Sequence, residues 1–146
     1  MKRILIIVGT SLIALVLLIQ LIPYGHDHSN PPIVAEPEWP NSLTRTLAQR
    51  ACFDCHSNET KWPLYSNFAP ASWLVYRDVT VGKTHINFSD WNRPAAQHVD
   101  EFKEVFNNNS MPPQDYLLLH PDARLTIAER QVLFNGLIKI ATSYQH

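Results

Sequence analysis

Hydrophobic positions follow three different patterns along the chain, and each predicts a different kind of backbone. Behind Met1, Lys2 and Arg3 comes an uncharged run from Ile4 to Ile22, broken only by Gly9, Thr10, Ser11 and Gln20. At about 1.5 Å of rise per residue this run nearly matches the roughly 30 Å hydrocarbon layer of a bilayer, so residues 1–22 are expected to hold one membrane-spanning helix. Residues 23–40 show no period; Pro23, Pro31, Pro32, Pro37 and Pro40 forbid a helix, and the stretch reads as a semi-extended linker holding the next domain off the membrane. From Asn41 onward the apolar residues recur at helical spacing. Leu43, Leu47 and Ala51 predict a first helix running into residues 52–56, with Asn41 or Ser42 as its cap. Trp73, Tyr76 and Val79 predict a second, begun at Pro70 and stopped at Gly82. Val99, Phe102, Val105 and Phe106 predict a third, from about Pro94 to the Asn107-Asn108-Asn109 triplet. Ile127, Leu133, Phe134, Leu137 and Ile140 predict a fourth behind the Thr126/Glu129 capping box. Nowhere does a run alternate as a half-buried strand does. The fold class is therefore all-α, a domain of about four helices over residues 41–146.

The apolar run at the N-terminus has two readings. It exceeds the about 7–15 residues usual for the apolar part of a signal peptide, and no A-x-A-like cleavage site follows, so an uncleaved anchor is preferred. Lys2 and Arg3 then stay in the cytoplasm and the remainder crosses, which places the domain in the periplasm on a single-pass inner-membrane anchor. Either reading exports the domain. A formal net charge of -1 gives no basic footprint, and nucleic acid is excluded as a partner class. His26 and His28 in the linker form an H-x-H pair, which without further ligands is a solvated feature and not a metal site.

Both cysteines of the chain lie in Cys52-Phe53-Asp54-Cys55-His56. This C-x-x-C-H spacing is that of covalent c-type haem attachment. Two thiols must converge on one edge of a flat macrocycle, and on a helical turn residues three and four apart share a face. With the macrocycle fixed by Cys52 and Cys55, His56 is held beneath the iron as proximal ligand. Three other readings compete. A disulfide closing so small a loop adds little stability, a zinc site lacks a second ligand pair at finger-like spacing, and a thioredoxin-like pair needs a βαβ setting. The loop Ser57 to Pro70, rich in Trp62, Leu64, Tyr65 and Phe68, is expected to wrap the haem edge and to supply a carbonyl to the Nδ1 hydrogen of His56.

For the sixth coordination position the candidates are Met111, His85 and His120. Met111 precedes Pro112, which pushes its backbone out of the α region and lets the thioether project from a loop. Its competing reading is a flexible gap-filler in an apolar pocket. His85 or His120 would give bis-histidine ligation, and an open or water-bound iron is the last alternative; His98 reads as a surface residue of the third helix. Candidate donors to the haem propionates are Arg77, Lys83, Arg93 and the indole of Trp62 or Trp91, each of which also reads as an exposed charge or a core aromatic.

The order of helix, C-x-x-C-H, Met-Pro loop and capped terminal helix resembles a small monohaem cytochrome c. The wider set Cys52 to Asn58, Trp62-Pro63, Tyr65-Ser66-Asn67, Ala69-Pro70, Asn87-Phe88-Ser89-Asp90-Trp91 and Met111-Pro112-Pro113, with Tyr116 and His120-Pro121, resembles more closely the bacterial haem-binding domain family of membrane-anchored c-type proteins. That resemblance covers about residues 41–142. It implies a cytochrome c-like domain, one covalent haem c on Cys52 and Cys55, His56 as axial ligand and a periplasmic location.

The function expected is one-electron transfer by a membrane-tethered cytochrome, an electron carrier rather than a catalyst, with redox proteins as partners and no small-molecule substrate. Two rivals belong to other classes: a gas-binding sensor, and a peroxidase-like enzyme whose distal ligand leaves. Neither a signalling domain nor a catalytic acid–base pair accompanies the motif.

Overall fold

A computed structural model describes residues 1–92 and 99–144. Among them the chain forms seven α-helices and no strand, as an all-α class requires: α1 (Lys2–Ile19), α2 (Ser42–Ala51), α3 (Phe53–His56), α4 (Ala71–His85), α5 (Val99–Asn107), α6 (Gln114–Leu119) and α7 (Ile127–Ser143). Two 3-10 turns, Leu64–Asn67 and Pro121–Ala123, complete it. The expected third-helix start at Pro94, and with it Arg93 and His98, lies outside the described residues. The chain divides into two compact units, residues 1–29 with 62–78 and residues 30–61 with 79 onward.

The first unit carries α1, which has a mean hydropathy of 2.3 and no buried residue, long and apolar enough to cross a membrane. Beyond its end the side chain of Gln20 pairs with the backbone of Ala69, and the His28 ring stacks on Trp62 at 4.5 Å.

The second unit is a helical core. Leu47 and Ala48 of α2 meet Leu133, Leu137, Ile140 and Ala141 of α7, with Phe53, Ile86, Phe88, Trp91 and Phe102 filling the space between. Phe53 stacks on Phe88 at 5.5 Å and Phe88 on Trp91 at 5.7 Å, and Trp39 closes on both phenylalanines. The stretch 30–40 is extended, as its prolines dictate, yet it is laid onto this unit and does not stand clear of it. Its Glu36 accepts from Arg45 at 2.8 and 2.7 Å and from the Trp39 indole at 2.8 Å. The Val34 amide donates to Ser89 and the Trp91 amide to Ala35.

Three expectations are corrected here. Gly82 does not stop the second helix, which continues through it to His85. The buried stripe of α2 is Thr44, Leu47, Ala48 and Ala51, leaving Leu43 outside; Ile127, expected inward, is 92 % exposed at the first position of α7. The physical reason is angular: at about 100° per residue the buried positions of α2 leave Leu43 roughly a quarter-turn to one side, and Ile127 lies roughly a third of a turn from the Leu133, Leu137 and Ile140 stripe of α7. The motif also does not close α2, because Cys52 leaves helical geometry at φ -129° and a separate short turn, α3, begins after it.

The capping box of α7 forms as expected. Thr126 Oγ1 accepts from the Glu129 amide and Glu129 accepts from the Thr126 amide, while Arg50 of α2 reaches the same carboxylate at 2.7 Å. The Thr126 backbone amide, then Arg50, hold the Glu129 carboxyl down at about 2, against 4.5 ordinarily. A carboxylate depressed in the folded state stabilises it above the unfolded value and loses that contribution as pH falls through the folded one. Glu129→Gln should therefore lower the melting temperature at neutral pH and flatten its decline between about pH 4.5 and about 2, as followed by circular dichroism. A wild-type slope in the variant would remove Glu129 from the acid response.

Candidate functional site

The site is assembled within the second unit. Cys52 and Cys55, neither of them in a disulfide, sit on the turn that also carries His56. The Cys55 and His56 amides both donate to the Cys52 carbonyl, at 3.2 and 2.9 Å, so one peptide oxygen sets the spacing of the three side chains. Some of the Cys52 residue remains exposed, but its thiol is enclosed, and burial pushes it up to about 12. Without a metal it is therefore protonated at neutral pH and not poised as a redox nucleophile. Among the described residues no group of three or more His, Cys, Asp or Glu side chains is arranged to hold a metal ion, and no strand supplies a βαβ setting.

His56 is held from two sides by one segment. Its Nδ1 lies 3.2 Å from the Ile86 carbonyl, and the Phe88 amide donates to its own carbonyl at 2.8 Å. A carbonyl only accepts, so Nδ1 carries the ring hydrogen and Nε2 keeps its lone pair. Burial lowers the His56 pKa, opposed in part by the Ile86 and Gly82 carbonyls, which favours the neutral ring that a metal ion requires. The carbonyl was expected from the loop Ser57 to Pro70; it comes instead from the residue just past α4. That loop, from Trp62 on, belongs to the first unit.

Gly82 explains why α4 can reach so far. A Cβ there would stand 2.5 Å from the Cys55 carbonyl oxygen and 3.1 Å from the Cys55 Cβ. The helix backbone lies directly on the turn, and the glycine read as a stop is a contact surface.

A buried polar interlock supports this contact. The Asn58 amide donates to Ser89 Oγ at 2.9 Å, Asn87 Nδ2 to Asn58 Oδ1 at 3.0 Å, the Ser89 amide to Asn87 Oδ1 at 2.9 Å, and Asn58 Nδ2 to the Pro32 carbonyl at 2.9 Å. Residues following the motif and residues 87–89 thus satisfy one another's polar groups away from water. On another side Asp54 accepts from the Tyr116 hydroxyl at 2.8 Å and from the Lys61 amide at 3.1 Å, tying α6 to the motif. The sequence held a signal for this bond, an Asp inside the motif and a Tyr just past the Met-Pro loop, but spacing alone does not pair them.

The candidates for the far side of the iron fare differently. Met111 sits in the loop between α5 and α6 and is 40 % exposed, so it is no buried gap-filler. Its carbonyl accepts from Arg130 Nη1 at 3.0 Å, and Arg130 Nη2 also donates to the Phe106 carbonyl at 2.9 Å. The same guanidinium is near enough to the Cys52 thiol to favour its ionised form. His85 is exposed at the end of α4, 3.8 Å from Glu101. His120 is bound into its own turn, with Nδ1 3.1 Å from the Tyr116 carbonyl and its ring stacked on Tyr116 at 4.1 Å.

Whether haem fits this donor set can be judged from the residues present. Two thiols outside any disulfide and an imidazole with Nε2 unprotonated share one turn, and the neighbouring helix presents Gly82 to it. Within this unit the indole nitrogen of Trp91 is buried without an acceptor among the described residues, a donor of the kind a carboxylate would satisfy; Trp62, the other indole candidate, belongs to the first unit. Of the other propionate candidates, Arg77 is exposed beside Asp78 and Lys83 is half-buried near Cys55. The group fits. Gly82→Val should drive α4 off the turn and cut haem incorporation several-fold while leaving far-ultraviolet circular dichroism largely unchanged. Wild-type haem content in Gly82→Val would show that the close approach is dispensable.

Comparison with known proteins agrees. No curated protein and no solved structure matches the chain. A family model described as a haem-binding domain matches residues 14–139, a stretch that starts inside α1 and ends in α7. With the match covering most of the chain, and with the C-x-x-C-H turn built to present an unprotonated imidazole nitrogen, the chain belongs to the haem-binding domain family and haem is its cofactor.

Proposed function

We propose that this is a monohaem c-type protein of the periplasm, tethered to the inner membrane by α1, that carries single electrons between redox proteins. One observation carries the reading: the Ile86 carbonyl fixes the His56 tautomer within the turn that bears both cysteines, neither of them in a disulfide. Each Sγ–H would add across a vinyl C=C, the sulfur bonding to one carbon and the hydrogen to the other, so that attachment needs no oxidant. His56, through Nε2, and Met111, through its thioether, are the residues that would hold the iron, a pairing that raises the reduction potential. When bound, haem supplies the one-electron couple; the chain holds the iron, limits water and sets the potential. Arg130 has a positioning role in this account, because its bonds to Met111 and Phe106 fix the loop from which the sulfur is presented. The anchor favours partners that are themselves at the membrane.

A second reading has support from one observation. Met111 is held by its backbone, and its side chain is substantially exposed, so it is placed to leave the iron and admit a small ligand. A gas-binding sensor or a peroxidase-like enzyme would use that freedom.

Absorption spectra of the full chain, produced with a haem-attachment apparatus, separate the two. An electron carrier gives low-spin iron in both oxidation states and no change under carbon monoxide. Met111→Ala should then abolish the sulfur-to-iron charge-transfer band of the ferric protein, lower the potential and permit carbon monoxide binding. High-spin wild-type protein that takes up carbon monoxide at once would favour the second reading, and an unchanged Met111→Ala spectrum would remove Met111 from the iron.

A further inference from the structure

The sequence from Trp62 to Tyr76 contains no Asp, Glu, Lys or Arg; Lys61 and Arg77 bound it. A stretch so free of charge in an exported domain would ordinarily be core. Here it is not: Leu64 is 79 % exposed, Phe68 58 % and Leu74 59 %. Three large apolar side chains in one short segment face solvent and need a partner.

The first unit shows what that partner is. Gln20, the residue directly after α1, donates from Nε2 to the Ala69 carbonyl at 3.0 Å and accepts from the Ala69 amide at 2.9 Å through Oε1. This pairing pins the residue next to Phe68 to the end of the apolar helix. Two further contacts keep the chain beyond α1 on the same segment. Gly25, at φ 83°, brings its backbone so close to the Ser72 carbonyl that a Cβ would stand 2.6 Å from it, and Tyr24 meets Tyr76 edge-on at 5.3 Å. The 18 residues of α1 span about 27 Å, so Gln20 falls where the hydrocarbon ends and the headgroups begin. Adjacent Cα atoms are about 3.8 Å apart, which leaves Phe68 little room to be anywhere else.

We infer that the segment Leu64 to Leu74 is a second membrane contact, an interfacial foot that sets Leu64, Phe68 and Leu74 into the headgroup–acyl boundary of the bilayer that α1 crosses. The inference rests on the anchoring of α1 proposed above. Its composition suits the layer: Tyr65 and Tyr76 are of the amphipathic aromatic type enriched at membrane interfaces. The consequence is that this unit lies against the lipid, with Gln20 as the staple between span and foot, and is not carried away from it on a free tether.

The test places a benzophenone maleimide on Phe68→Cys or Leu74→Cys in the full-length holoprotein, reconstituted into vesicles of phosphatidylethanolamine and phosphatidylglycerol, and identifies the photoadducts by mass. Leu12→Cys in the span and Ile127→Cys in the helical core unit are the references, and the unsubstituted holoprotein gives the labelling background. Phospholipid adducts at Phe68 and Leu74 several-fold above those at Ile127 are expected. Lipid adducts at Leu12 with none at Phe68 or Leu74 overturn the foot and leave the anchor standing. Cross-linked protein dimers at Phe68 would show a second copy covering the patch and overturn it equally. An absence of lipid adducts at Leu12 itself would defeat the anchoring, and the foot with it.

Discussion

The hydrogen bond from His56 Nδ1 to the Ile86 carbonyl is the constraint on which the remainder of the site depends. A neutral imidazole carries one ring hydrogen, and its position decides which nitrogen can bind a metal. Because Ile86 directly follows α4, its carbonyl lies at the helix end where peptide dipoles concentrate negative charge. Such a partner both orients the ring and makes its free nitrogen a stronger donor. To bring that carbonyl into range, α4 has to lie flat on the cysteine turn, and only a residue without a Cβ at position 82 allows it. The buried amides and hydroxyls of Asn58, Asn87 and Ser89 then keep residues 86–89 against the turn. An apolar contact would slide where these directional bonds do not.

Much of this was legible in the sequence, and what was not has a physical explanation. The C-x-x-C-H spacing, the Thr126/Glu129 cap and the helical periods are local patterns, and local patterns survive in one dimension. The partner of His56 is a backbone carbonyl, which every residue type provides, so no side chain at position 86 could announce it. Gly82 was read as a helix stop because glycine is common there; its actual use, close approach to Cys55, depends on a neighbour distant in the chain. The Asn87 to Ser89 stretch shows no period of its own for the same reason. Its polar residues are spent on the motif, not on a regular element. Residues 23–40 read as a semi-extended linker because proline excludes a helix, but proline does not exclude packing, and over residues 30–40 Glu36 and Trp39 supply the contacts.

The arrangement also bears on how the two sides of a bound haem would differ. The His56 side is over-determined, with hydrogen bonds at both the ring and the backbone and a helix behind it. Met111, the proposed second ligand, is lightly held: Arg130 grips its carbonyl while the residue is 40 % exposed. With Met111 as the second ligand, as proposed, such a site would suit a carrier whose ligands persist through both oxidation states, and it would need little change to become a ligand binder.

The central claim is that Cys52 and Cys55 hold haem covalently above His56. The intact mass of the full chain, made in a host with a working attachment apparatus and measured after denaturation, tests it most directly. The account predicts a mass higher by one haem, lost when both cysteines are replaced by alanine. A mass equal to that of the polypeptide alone, under conditions in which a known c-type protein is matured in the same cells, would contradict it.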